Sequence, residues 1–351
     1  MRRGERRTIL PSEVSGSPGR QVKVTRRWWL EAALAGSVGA AAAGWGPVVI
    51  AKTPTAMDAR RVAQQDVGTS TWGDLPQGAS FEPLTRGTVD DLLVASGLVA
   101  IARITAEAGA SYLFYYNDVP GVVGPRMIFV EEGTVSSGPL TVSPGSSPGP
   151  TLLMRTATEG EGAKPAVLTP GSKAKLQPGD LIFFPADTAY AVGNDYDGPG
   201  TVYLEIAVFP IPALLHEEGE VFGKLVAQPL AVDLGVEAAF PPTPPLVAVG
   251  RLSLLPGAGI PSHATVGNPT VLSVEAGVLG LTTQRGKVQV VRVGVAPPGE
   301  FVEATNETTF TASDALMLPP DALGALRNVG DEPLSLLSLV IDPTTGTTNK
   351  S

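Results

Sequence analysis

The sequence predicts an all-β protein that contains the same barrel domain twice. Its 351 residues include 41 glycines and 33 prolines but only 6% aromatic residues, a composition typical of short strands joined by tight turns. Two long segments also match each other. LVAIARITAEAGA at Leu98–Ala110 and LVAVGRLSLLPGA at Leu246–Ala258 both alternate apolar with small or polar residues at a period of two. Both end in Gly-Ala, as expected for a strand that runs into a turn.

Three further segments repeat in the same order, which indicates duplication of a whole domain. The matched pairs are FVEEGTV with SVEAGVL, LQPGDLIFFPADTAYAVGN with FTASDALMLPPDALGALRN, and TVYLEIAVFPIP with LSLLSLVIDP. The predicted organisation is a leader at 1–51, an N-terminal arm at 52–85, a first barrel at 86–214, a connector at 215–245, a second barrel at 246–342 and a flexible tail at 343–351.

The leader has the layout of an export signal. Arg26 and Arg27 stand directly before a weakly apolar run rich in alanine and glycine. Thr25–Leu30 resembles the Ser/Thr-Arg-Arg-x-aromatic-Leu motif of the twin-arginine pathway, which exports folded proteins. We therefore expect a signal or anchor helix and a periplasmic, extracellular or envelope-anchored protein. Trp28–Ile50 is also long enough to span a bilayer, so cleavage of the helix and its retention as an anchor both stay open.

Charge and composition exclude several functions. The formal net charge is −9, and it becomes −14 without residues 1–51, which hold eight basic and three acidic residues. An acidic body argues against nucleic acid as a partner, because phosphate binding needs a basic face. Cysteine is absent, which excludes disulfides, thiolate metal sites and cysteine nucleophiles. The motifs of nucleotide loops and of serine hydrolases are absent from the sequence as well.

The spacing of turn residues in both copies resembles the two motifs of the cupin superfamily, G-x5-H-x-H-x(3,4)-E-x6-G and G-x5-P-x-G-x2-H-x3-N. The resemblance implies two tandem barrels of the double-stranded β-helix or jelly-roll type, a bicupin. The first copy keeps the turn residues Gly109, Gly133, Gly179, Pro185 and Asn194. Its positions for the family's metal ligands hold Tyr115, Asn117, Arg126 and Tyr190.

The second copy shows the same combination of a kept frame and changed ligands. Its turn positions hold Gly257, Gly277, Ser313, Pro319 and Asn328. The positions of the family's metal ligands hold His263, Thr265, Thr270 and Gly324. A metal needs three or four imidazole or carboxylate donors that converge on one point, and arginine has no lone pair to donate. We therefore expect no metal and no other cofactor in either barrel.

The barrel interiors still predict a ligand site. Its candidate residues are Tyr115, Asn117, Arg126, Tyr190, His263, Thr265 and Thr270. In the first barrel, two phenols, an amide and a guanidinium suit a small anionic or sugar-like molecule. The alternative interpretation is that Arg126 pairs with an internal carboxylate such as Glu132, while the tyrosines fill space with their hydroxyls bonded.

These patterns favour an exported, non-catalytic bicupin that binds a small molecule or serves structurally in the cell envelope. The two barrels are expected to pair through their sheets, and a homo-oligomer stays open. The alternative is an enzyme. His263 would then be the catalytic candidate, because the resemblance extends to metal-independent sugar epimerases that use a histidine base. Such an enzyme would be a metal-independent isomerase or lyase. A second enzyme alternative is a divergent metal-dependent oxidase or decarboxylase. His216 lies in the acidic segment LLHEEGE and is interpreted as a solvated surface residue.

Overall fold

The fold is taken from a computed structural model of the chain. The structure describes residues 22–25, 72, 74–88, 97–116, 125–140, 150–155, 166–186, 188–194, 200–210, 217–236, 246–261, 268–292, 299–319 and 322–342. Apart from 22–25, the predicted leader lies outside these residues. Among the described residues, no helix has the length and apolar character needed to cross a membrane.

The first barrel consists of two antiparallel sheets. In sheet order, the six-stranded one contains β1 (Val22–Thr25), β13 (Glu217–Phe222), β4 (Ser111–Tyr116), β11 (Tyr190–Gly193), β6 (Val135–Pro139) and β9 (Ala174–Leu176). The seven-stranded one contains β14 (Leu225–Val236), β3 (Gly97–Ala106), β12 (Thr201–Pro210), β5 (Arg126–Glu132), β10 (Leu181–Phe184), β7 (Thr151–Met154) and β8 (Ala166–Leu168).

The second barrel repeats this arrangement. Its seven-stranded sheet contains β2 (Ala79–Thr88), β15 (Leu246–Leu254), β24 (Leu334–Asp342), β17 (Thr270–Ala276), β22 (Ala315–Leu318), β19 (Val288–Val291) and β20 (Glu300–Val302). Its four-stranded sheet contains β16 (Gly259–Ile260), β23 (Leu323–Asn328), β18 (Val278–Arg285) and β21 (Thr308–Thr311). From β3 to β8 and from β15 to β20, the two large sheets have the same strand order, as the repeat predicts.

The predicted arm and connector contribute strands to the sheets. β2, at the end of the N-terminal arm, pairs with β15 and so belongs to the second barrel. β14, in the connector, pairs with β3 and covers the edge of the first barrel's large sheet. Each large sheet therefore gains an outer strand from sequence that precedes or follows its own repeat.

The alternation of side chains divides the apolar residues into three cores. One core fills the first barrel and includes Ile104, Phe114 and Tyr203, and an equivalent core around Leu272 and Phe310 fills the second. The third joins the two large sheets, since it combines residues of both barrels. Burying a Leu, Ile or Phe side chain contributes about 1.5–3 kcal/mol, so this shared core holds the barrels against each other.

Four charged residues also link the two barrels where their large sheets meet. Arg103 on β3 and Arg251 on β15 occupy equivalent positions, as do Glu131 on β5 and Glu275 on β17. Each arginine bonds the glutamate of its own barrel, with Nε···O distances of 2.6 Å for Arg103 and 2.7 Å for Arg251. Each also reaches the glutamate of the other barrel: Arg251 bonds Glu131 at 2.9 Å, and Arg103 bonds Glu275. We call these four residues the junction ring.

The turns explain why the motif spacing survives in both copies. Gly179 has φ of +90°, and Ser313, at the same position of the second copy, has φ of +72°. Ser313 is the one non-glycine residue with positive φ among the described residues. The left-handed turn is therefore kept even where the sequence replaces glycine, at a cost in backbone strain.

Candidate functional site

Arg126 opens β5 and points into the first barrel. Its side chain is buried, and Nη1 donates to Oε1 of Glu205 over 2.9 Å. The guanidinium carbon also lies 4.2 Å from the centre of the Phe114 ring, a cation–π contact. A buried charge needs such partners, because an unpaired one is expensive to remove from water.

Tyr190 lies at the first position of β11 and reaches the same carboxylate. Its hydroxyl donates to Oε1 of Glu205 over 2.6 Å. Its ring stacks on Phe184 and Phe114, with centroid separations of 4.5 and 5.1 Å. Burial, and then the negative charge of Glu205, raise the pKa of Tyr190 well above its usual value. The phenol therefore stays protonated and acts as a donor.

Glu205 is an interior residue that the family motifs do not predict. It lies on β12, is buried, and joins Arg126 and Tyr190 into one network that we call the polar core. A signal was present in the sequence, since Glu205 is the single charged residue in the apolar segment TVYLEIAVF. The expected partner Glu132 is exposed beside the Gly133 turn. Pairing of Arg126 with an internal carboxylate is therefore correct, but Glu132 as that carboxylate is wrong.

Tyr203 belongs to the same interior. It lies two residues before Glu205 on β12, so both side chains point to the same side of the sheet. Its ring is fully buried in the first barrel's core. Burial, followed by the charge of Glu205, raises the pKa of Tyr203 well above its usual value. A second protonated phenol thus lies within electrostatic range of the glutamate.

The structure brings only some of the expected ligand residues together. Arg126 and Tyr190 meet at Glu205, whereas Thr270 lies in the second barrel, where its hydroxyl donates to the Asn268 carbonyl over 3.0 Å. Tyr115 has its backbone in β4. The remaining candidates fall outside the described residues: Asn117, His263 and Thr265, together with His216 of the connector.

Two of the four side chains at the family's metal positions in the first barrel, those of Arg126 and Tyr190, are poorly suited to bind a metal. Oε1 of Glu205 already accepts hydrogen bonds from the Arg126 guanidinium and the Tyr190 phenol. A guanidinium cannot coordinate a cation and repels it. Within the described part of the chain, no three His, Asp or Glu side chains are grouped as a metal site would require.

The second barrel has no polar core at the equivalent positions. The equivalent arginines Arg103 and Arg251 pair with Leu204 and Leu337, so these two leucines are equivalent as well. The next residues, Glu205 and Ser338, are therefore equivalent. Tyr203 is equivalent to Leu336 by the same register. Tyr190 aligns with Gly324, where an added Cβ would lie 2.9 Å from the backbone oxygen of Thr282. A side chain cannot enter this position unless the backbone shifts.

Strand order and register give the chain the two-barrel cupin fold. Two such barrels in tandem make a bicupin fold. Comparison with solved structures finds distant likenesses of the same architecture. An 11S globulin from Wrightia tinctoria, described as revealing an auxin-binding site, has 13% identity and a TM-score of 0.37 over 80% of this chain and 86% of that one.

Two other structures extend this comparison. A vicilin from Solanum melongena, described as holding different anionic ligands in similar pockets, has 10% identity and a TM-score of 0.38 over 71% of this chain and 76% of its own. A cupin 2 barrel protein from Salinispora arenicola has 15% identity and a TM-score of 0.20 over 27% of this chain and 61% of its own. No protein-family model and no curated protein matches the chain. At these scores the likenesses carry no functional argument.

Proposed function

We propose that this bicupin is a non-catalytic, exported protein that binds a small molecule or serves structurally in the cell envelope. The observation that carries the proposal is Glu205, which ties up both Arg126 and Tyr190 inside the first barrel. Two of the four positions that hold metal ligands in the family, Arg126 and Tyr190, are here hydrogen-bonded to one internal carboxylate.

The chemistry of that network opposes acid–base catalysis. A general acid or base works best when its pKa lies near the working pH. Tyr190 is held protonated by burial and by Glu205, and the charge of Arg126 is balanced by the same carboxylate. The raised pKa of Tyr190 therefore makes its phenol a poor general acid or base near neutral pH. The network instead suits a structural role, in which its hydrogen bonds hold the interior side chains of the first barrel in one arrangement.

Metal analysis of the full chain, purified under mild conditions, tests the non-catalytic proposal. We expect iron, manganese and zinc to be well below one atom per chain. The matched variants are His263→Ala, at the family ligand position, and His216→Ala, in the connector. A stoichiometric metal that disappears in His263→Ala and persists in His216→Ala would replace the proposal with the enzyme alternative.

Export is tested separately through the paired arginines. Arg26→Lys with Arg27→Lys keeps the charge of the leader but removes the guanidinium pair that the twin-arginine pathway reads. We expect the double variant to accumulate inside the cytoplasm, while the control Arg6→Lys with Arg7→Lys is exported normally. Equal export of both variants would remove the twin-arginine proposal and leave the binding or structural role intact.

A further inference from the structure

The side-chain oxygens of the first barrel that are buried without a hydrogen-bond partner in the described residues include two on alternate positions of β12. They are Oη of Tyr203 and Oε2 of Glu205. Tyr203 is completely inaccessible to solvent, and Glu205 is 5% exposed. Both side chains extend from β12 to the same side of the sheet, and the charge of Glu205 acts on the Tyr203 phenol. Two polar atoms of one interior thus have bonding capacity left over.

Buried side-chain polar atoms nearly always have a partner, either in the protein or in ordered water. Here each atom offers a defined chemistry. Oε2 of an ionised carboxylate only accepts, whereas a protonated phenol both donates and accepts. A single hydroxyl group placed between them would donate to Glu205 and accept from Tyr203. Its oxygen would thereby satisfy both atoms.

Charge defines the class of molecule further. The negative charge of Glu205 is balanced by Arg126 at 2.9 Å, so the interior has no net charge to attract an ion. An anion placed at Oε2 would have no hydrogen to donate to this oxygen, which can only accept hydrogen bonds. Among the expected ligand classes, the sugar-like one therefore agrees with the polar core and the anionic one does not.

The second barrel shows that this feature is not imposed by the fold. The residues equivalent to Tyr203 and Glu205 are Leu336 and Ser338. Leucine has no polar atom to satisfy, so the pair of a phenol and a carboxylate occurs in the first barrel alone among these equivalent positions.

We propose that the first barrel binds a neutral hydroxyl group, either an ordered water or a hydroxyl of a small uncharged molecule, between Oη of Tyr203 and Oε2 of Glu205. The proposal deepens the binding role proposed above but does not depend on the absence of metal. Metal found at His263 would overturn the non-catalytic role and leave this site in the first barrel unaffected.

A thermal unfolding series on the full chain tests the site by the sign of one shift. In Tyr203→Phe the hydroxyl is lost and the ring is kept. If that hydroxyl is bonded to a bound oxygen, the melting temperature falls, by about 2–4 °C for a typical lost hydrogen bond in a domain of this size. If the hydroxyl has no partner, its removal leaves the melting temperature unchanged or raises it, and the proposal fails. Tyr190→Phe is the matched control, because it removes a phenol whose bond to Glu205 is seen directly.

A crystal structure of the full chain distinguishes the two sources of the hydroxyl. We expect electron density within hydrogen-bonding distance of both oxygens, and its disappearance in crystals of Tyr203→Phe. An isolated peak, with no small molecule released when the protein is denatured and analysed by mass spectrometry, identifies water. Extended density together with a released uncharged hydroxyl compound identifies a ligand. An interior without density between the two oxygens would overturn the proposal.

Discussion

The two barrels share a backbone but differ in what fills it. At three equivalent positions the first barrel has Arg126, Tyr190 and Glu205, which are joined by hydrogen bonds of 2.6 and 2.9 Å. The second has Thr270, Gly324 and Ser338 at the same places. One interior is therefore built around a buried ion pair, and the other is almost entirely apolar.

What stays common is the set of groups that shape the backbone. Asn194 and Asn328, the last residues of the second motif, are both buried and donate from Nδ2 to the carbonyls of Ala106 and Leu254. The turn residues and the alternation of inward and outward side chains therefore determine the barrel. The interior residues are free to change, provided that every buried charge keeps a partner.

Removing Arg126 should have the largest effect and would break the comparison most directly. Arg126→Met keeps much of the volume but leaves Glu205 as a buried carboxylate without its cation. We expect the free energy of unfolding to fall by about 3–5 kcal/mol. Guanidinium unfolding followed by circular dichroism measures the loss.

Two further variants control this experiment. Thr270→Val, at the equivalent position of the second barrel, removes one hydrogen bond and should cost about 1 kcal/mol. Combining Arg126→Met with Glu205→Leu removes both charges and should recover much of the loss. If Arg126→Met costs no more than Thr270→Val, the ion pair does not stabilise the first barrel.

The junction ring predicts an acid-sensitive contact between the barrels. Burial alone would raise the pKa of Glu275, but hydrogen bonds and charge from Arg251 and Arg103 outweigh it and lower the pKa below its ordinary value of 4.5. A carboxyl with a lowered pKa in the folded state stabilises the protein above its unfolded pKa, and this contribution disappears as the pH falls through the folded pKa. Glu275→Gln should therefore cost about 1–2 kcal/mol at pH 7 and progressively less below pH about 4.5.

Glu131→Gln is the matched control for this pH series. Glu131 occupies the equivalent position, yet Glu275 also accepts a hydrogen bond of 2.9 Å from the Ser335 hydroxyl. We expect Glu275→Gln to be the more destabilising of the two at neutral pH, as measured by thermal melts between pH 3 and pH 7. A difference between wild type and Glu275→Gln that is constant over this range would show that the Glu275 carboxylate contributes no pH-dependent stability.

Gly324 tests whether the second barrel can still accept a side chain at the family's ligand position. The added Cβ of Gly324→Ala would approach the Thr282 carbonyl oxygen to 2.9 Å, so we expect a loss of about 1–2 kcal/mol through local overpacking. Gly200→Ala is the control, because its Cβ would meet backbone only at 3.4 Å. Equal melting temperatures of the two variants would mean that the backbone at Gly324 yields easily.

Much of the fold could be predicted from the sequence because the repeat and the turn spacing are local patterns. The alternation around Leu98 and Leu246 placed β3 and β15, and the second motif placed β10 and β11 with their counterparts. The outer strands β2 and β14 were less predictable, since their pairing partners lie far away in the sequence. Long-range pairing leaves no signature in a single segment.

The interior site was only half predictable for a related reason. The family motifs identified Arg126 and Tyr190, which both lie at spaced positions after a glycine turn. They gave no information about Glu205, because β12 lies outside both motifs and brings its carboxylate inward only through the closure of the barrel. A charged residue in an otherwise apolar strand was the signal that could have revealed it.

Ser338→Ala should have the smallest effect and would sharpen the comparison at the position equivalent to Glu205. Ser338 is completely buried, and its hydroxyl has no hydrogen-bond partner in the described part of the chain. Because apolar Leu336 stands where the first barrel has Tyr203, Ser338 lacks the second polar group with which a bound oxygen could be shared. We therefore expect the unfolding free energy to change by no more than about 0.5 kcal/mol, in either direction. Chemical unfolding of Ser338→Ala beside Glu205→Gln measures both positions in one assay. A loss above about 1 kcal/mol in Ser338→Ala would mean that the Ser338 hydroxyl is hydrogen-bonded, because removing a hydroxyl destabilises the protein only when a hydrogen bond is lost with it.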